Sequence, residues 1–139
     1  MSYKFLEHTA DVKFVAEGSS VEDVFVESAM ALKDSICGDI VVLEQEKKEL
    51  SIKGDNLENL LYKFLEESLF LLDSVDFLLS KVQSIKINLE DFSLQAVVSG
   101  DKAENYKFTN DVKAVTYNEM FVKFDETKNI WEAQVVLDV

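Results

Sequence analysis

The sequence predicts an α+β fold: mostly antiparallel sheets layered with two main helices, in a single domain spanning 1–139. Three observations carry this. Two windows place apolar residues at helical spacing. The other apolar runs are short, β-rich and mostly adjacent along the chain, which favours antiparallel pairing. A length of 139 residues suffices for one domain with a real core and is too short for two ordinary ones.

The first strands are expected at Lys4–Glu7 and Val12–Ala16, both short and rich in β-formers. The first helix should run from about Val21 to Ile36. Val21, Val24, Phe25, Ser28, Ala29, Leu32 and Ile36 make one face, Ser20 is a good N-cap with Asp23 completing a weak capping box, and Gly38 suits the stop. Ile40–Leu43 and Glu49–Lys53 read as strands flanking a charged turn around Glu46-Lys47-Lys48.

The second helix should run from about Leu57 to Leu72, capped by Asp55 or Asn56. Leu57, Leu60, Leu61, Phe64, Leu65, Leu69 and Leu72 form its apolar stripe, and Glu58, Lys63, Glu66 and Glu67 its wet face. The stripe lasts about two heptads, which suits a core-facing helix better than a coiled-coil seam. Val82–Leu89 and Ser93–Gly100 alternate in period two around a turn near Glu90-Asp91. This hairpin could form a sub-layer of its own. Met120–Phe124 and Ile130–Val139 close the chain as a second hairpin, joined by the polar run 125–129.

Apolar residues make up 47% of the chain and charged residues 29%, the balance of a folded soluble protein. The net charge is −13, from 14 cations and 27 acids, and all the cations are lysines. That argues against stable direct nucleic-acid binding, which needs Lys and Arg on phosphates. It suits a basic partner protein, a divalent cation, or simply solubility. Cys37 stands alone, so no internal disulfide is expected, and the chain fits a reducing, cytoplasmic setting. No stretch approaches a membrane span or a signal peptide.

No glycine-rich phosphate loop, zinc spacing or Ser-His-Asp set is evident. His8 is the single histidine, and a lone histidine is most often a structural hydrogen-bonder. Its setting is suggestive, because Glu7-His8-Thr9-Ala10-Asp11 is a polar segment between two apolar strands, where a loop would carry a site. At the other end, Trp131, Ala133, Val135, Leu137 and Val139 share one face of the last strand. Glu132, Gln134, Val136 and Asp138 share the other, wetter one. Asp138 and the carboxylate of Val139 could offer two oxygen ligands to a hard cation; the alternative is a solvated strand end.

Glu7-His8-Thr9-Ala10-Asp11-Val12 closely resembles the opening motif of the archease family. The resemblance continues through Lys113-Ala114-Val115-Thr116-Tyr117, Trp131 and the closing Val135-Val136-Leu137-Asp138-Val139, and the leucine-rich helix ending Leu71-Leu72-Asp73 agrees with it. It spans essentially the whole chain. One departure stands out: Asn118 follows the tyrosine where the family usually has histidine.

The resemblance implies a small acidic cofactor of RtcB-type RNA-splicing ligases. Such ligases join RNA ends in tRNA splicing and repair, using GTP and manganese through a guanylylated histidine. The implied role is to speed guanylylation and permit multiple turnover, through a transient contact and with no turnover of its own. The family's metal site maps onto Asp11, Asp138 and Val139: an oxygen site of calcium type, with magnesium or manganese also fitting. His8, Thr9, Lys113, Tyr117 and Asn118 are its candidate second layer or partner contacts. The alternatives are a chaperone-like interaction module with a structural metal site, and a metal-dependent hydrolase with Asp11 as base.

Overall fold

Among the described residues, two strands precede the first of two α-helices, one strand separates the helices and four strands follow the second. In the computed structural model, residues 1–7, 11–108 and 112–139 are described. The elements are β1 (Ser2–Leu6), β2 (Val12–Gly18), α1 (Val21–Cys37), β3 (Glu46–Lys53), α2 (Leu57–Val75), β4 (Phe77–Asn88), β5 (Ser93–Lys102), β6 (Ala114–Asp125) and β7 (Ile130–Asp138). The strands form two sheets, ordered β1-β2-β7-β6 and β3-β5-β4, and their pairings are antiparallel. The helices bridge the sheets, with α1 against β2, β7 and β4, and α2 against β6, β4 and β3. No helix among the described residues is long and apolar enough to cross a membrane.

Both helices start and stop on local chemistry. The Ser20 hydroxyl accepts from the Asp23 amide at 3.1 Å. The Asp23 carboxylate reaches back to Ser19, amide and hydroxyl, rather than to Ser20, so the reciprocal half of the capping box is displaced by one residue. Gly38 takes a positive φ of 62° and its N–H closes on the Asp34 carbonyl. Of the two candidate caps on α2, Asn56 does the work, accepting from the Asn59 amide at 2.8 Å. Asp76 ends α2 in the left-handed region, with its N–H on the Leu71 carbonyl.

The apolar faces meet in one core. Phe25 and Phe64 join the helices at 6.0 Å between ring centroids, and Phe14, Phe77, Leu94 and Leu137 bring in both sheets, all essentially fully buried. Each such side chain contributes roughly 1.5–3 kcal/mol by leaving water. Glutamates at the second position of each helix complete the join. Glu22 accepts the Ile87 amide of β4 at 3.2 Å, and Glu58 accepts the Val122 amide of β6 at 3.1 Å. Glu58 was expected on the wet face; it is instead half-buried and serves an edge strand.

The 40–53 segment corrects the sequence reading. Ile40–Leu43 is not a strand, and Glu46-Lys47-Lys48 is not a turn but the start of β3. The partner of β3 is β5, beginning at Glu46↔Gly100. As an edge strand, β3 needs only one apolar face, and lysines on such an edge oppose unwanted pairing. Residues 42–45 are held by single bonds instead of a ladder: Ser80 Oγ to the Val42 carbonyl (2.6 Å), the Leu43 amide to Tyr106 Oη (2.9 Å) and the Gln45 amide to the Gly100 carbonyl (2.9 Å).

Two strands also start earlier than their alternation indicates. Phe77-Leu78-Leu79 is a consecutive buried run, so β4 opens without a period-two signal and then breaks register twice, after Leu79 and after Val82. β6 opens at Ala114, because its pairing with β7 is interrupted between Thr116 and Phe121 and only then resumes. The 80–110 hairpin does build a separate sheet, with β3 added to it.

Candidate functional site

The candidate site lies where the β2–β7 and β6–β7 ladders end. The β2–β7 ladder stops at Val12↔Leu137, one residue short of Asp11 on one strand and of Asp138 on the other. On the other side of β7, Ala114 pairs with Asp138, and the Lys113 amide donates to the Asp138 carbonyl at 2.8 Å. The ends of β2, β6 and β7 thus lie together at one end of the four-stranded sheet. Asp138 and Lys113 are exposed, Val139 is 43% exposed, and Asp11 is half-buried.

Asp11 and Asp138 each place a carboxylate at a neighbouring strand end. Their oxygens, with those of Val139, are hard donors of the kind that calcium, magnesium and manganese take. The donor set fits such an ion in kind. Among the described residues no three His, Cys, Asp or Glu side chains converge as a metal cluster; the expected set has two side-chain carboxylates and one main-chain group. His8 and Thr9 lie outside the described residues.

Asp138 shares a face of β7 with Glu132, Gln134 and Val136, as the alternation predicts, but that face is not uniformly wet. Val136 is fully buried on it. The irregular part of β6 lies back over this side: the Glu119 carbonyl accepts from Gln134 Nε2 at 2.8 Å, and its carboxylate pairs with Lys13 at 3.2 Å. Glu119 takes a positive φ of 54° to make that bend. The Thr116 hydroxyl donates to the Val136 carbonyl, pinning the start of the bulge.

Tyr117 leaves this cluster. Its ring stacks on Tyr62 of α2 at 4.2 Å between centroids and 14° between planes, and its hydroxyl accepts from Asn59 Nδ2 at 2.6 Å. Asn118 is exposed, and its amide donates to Thr116 Oγ1 at 3.3 Å. Of the expected second layer, then, Lys113 meets Asp138 through its backbone amide while Tyr117 packs on α2. Tyr62, Asn59 and Glu119 were missed. They follow no local pattern, and become visible only once the bulge in β6 is known.

The family model described as the Archease protein family matches residues 3–139. The chain belongs to the archease family. Protein archease of Methanosarcina mazei is 38% identical over 141 residues, covering 99% of this chain and 95% of that protein. Protein archease-like of Drosophila melanogaster is 32% identical over 142 residues, covering 100% and 91%. The solution structure of Methanobacterium thermoautotrophicum protein 1598 superposes with a TM-score of 0.81 at 28% identity, covering 99% of this chain and 98% of that one. The archease fold thus accounts for essentially the whole chain.

Proposed function

We propose that this archease is a non-catalytic activator of an RtcB-type RNA-splicing ligase, promoting ligase guanylylation with GTP and repeated turnover. Family membership supports a role as a protein cofactor in RNA processing. The observation that supports the finer reading is the β2–β7 register, whose last pair, Val12↔Leu137, adjoins Asp11 on one strand and Asp138 and Val139 on the other. In this reading the two aspartates and the Val139 carboxylate would hold a divalent cation at the sheet end. Such an ion, when bound, supplies positive charge where negative charge builds on a nucleotide phosphate. Lys113 is tied to the end of β7 through its backbone amide, which donates to the Asp138 carbonyl. The net charge of −13 favours docking on a basic surface and departure when RNA competes for it.

The test measures guanylylation of a cognate ligase with GTP, with and without this protein. The native chain should raise the rate. Asp11→Ala should abolish the increase while the chain stays folded, as a cooperative thermal melt run beside the rate would check. Extending the chain beyond Val139 turns its carboxylate into an amide carbonyl, so metal affinity should fall partly and activation more. Full activation by Asp11→Ala would overturn the reading. An unaltered rate with the native chain, together with a large metal-dependent rise in Tm, would favour a structural metal site instead.

A further inference from the structure

The outward face of α2 is organised as a ridge. Asn59, Tyr62, Glu66, Phe70 and Asp73 follow one another at steps of three or four residues, which keeps them on one side of a helix over about 21 Å. Phe70 is 53% exposed. Tyr117 reaches over from the bulge of β6, is 50% exposed, and is held in place by the Tyr62 stack and the Asn59 hydrogen bond. Glu66 accepts a hydrogen bond from the Tyr62 hydroxyl, which pushes that phenol's pKa up. The ridge therefore presents two tyrosine rings fixed in orientation and an exposed Phe70, interleaved with the acids Glu66 and Asp73. It carries no cation: Lys63, on its flank, is drawn off to the Lys53 carbonyl at 3.0 Å.

Fixed aromatics lose little entropy on binding and make good interface anchors. Beside carboxylates they select one chemistry. A guanidinium stacks on an aromatic face while its N–H groups pair with an adjacent acid, which a lysine ammonium does less well. Nucleic acid and anionic membrane are repelled by the same carboxylates.

We infer that the Tyr117–Tyr62–Phe70 ridge, with Glu66 and Asp73, is a docking surface for an arginine-bearing face of a partner protein. It deepens the activator reading and rests on it for the partner's identity: the ridge starts at the β6 bulge, a few residues from Ala114 beside Asp138. Docking along α2 would then orient the sheet end on the partner.

The test titrates the full chain with a short arginine-rich peptide and with matched lysine and glutamate peptides, following the ring signals of Tyr62, Tyr117 and Phe70 by NMR. The arginine peptide should shift these signals saturably, more than lysine does, and the effect should fade at about 0.5 M salt. Phe70→Ala with Glu66→Gln should weaken binding about fivefold or more, while Glu90→Gln on the distant β4–β5 turn should not. Glu66→Lys, which leaves Phe70 in place, should act in the same direction. Equal losses from the Glu90 variant, shifts centred elsewhere, or self-association through the ridge would overturn the inference. In the ligase assay the ridge variants should raise the concentration for half-maximal activation; activation by the native chain with no such change would also overturn it. If the native chain activates no ligase, the activator reading falls, and the peptide titration still decides the ridge.

Discussion

Tyr106 shows how much one hydroxyl can organise. It donates to Asp101 Oδ2 at 2.7 Å and accepts from the Leu43 amide at 2.9 Å, tying the end of β5 to the 40–45 segment. The hydroxyl, aided by the Lys102 amide and Asn105, holds the Asp101 carboxyl below its ordinary pKa. The folded state therefore resists protonation at Asp101 more than the unfolded chain does. The stabilisation is present above the usual carboxylate range and is lost as pH falls through the lowered value. Tyr106→Phe should lower Tm at neutral pH, and its gap from the native protein should narrow between about pH 5 and pH 2. Thermal melts across that range check both. The candidate metal site is also a matter of single residues. Asp138 was legible from alternation in the last strand, but Asp11 came only through the family resemblance, since nothing local links residue 11 to residue 138.

Edge strands depend on the helices as elements. The Glu58 carboxylate satisfies the Val122 amide where β6 resumes its pairing with β7. Glu58→Ala leaves a half-buried N–H without that acceptor and should cost about 1–3 kcal/mol, read as a lower midpoint in urea with an unchanged slope. Ser93–Lys102 is central in its sheet, and Gly100 sits where it crosses β4. A Cβ there would collide with the Leu78 carbonyl oxygen and come within 2.8 Å of the Phe77 ring. Gly100→Ala should therefore destabilise by about 1–3 kcal/mol, as overpacking does, with hydrogen exchange rising first in β3, β4 and β5. A result within 0.5 kcal/mol, on the order of a surface change, would mean that the two strands can separate freely. Neither constraint is visible in sequence, because both couple residues more than twenty positions apart.

Charge acts on the whole molecule. At −13 with no arginine, the protein should bind labelled single-stranded RNA feebly even at low salt, where electrostatic attraction is strongest; tight, salt-sensitive binding in a titration would contradict this. The sequence by itself determined what a short window can encode: both helices, the caps Ser20 and Gly38 and the choice of Asp55 or Asn56, the closing hairpin, and the apolar faces that meet in the core. Those signals are local because hydrogen-bond caps and amphipathic periods are completed within a few residues. Tertiary structure decided which strand each edge accepts. It took β3 away from Ile40–Leu43 and gave it to β5, opened β4 at a continuous apolar run, and bent β6 so that Tyr117 reached α2. It also ended the β2–β7 ladder at Val12↔Leu137, next to Asp11 and Asp138. These outcomes depend on pairings distant in sequence, whose free energy comes from burying both helices against both sheets at once, and no local pattern of residues contains that sum.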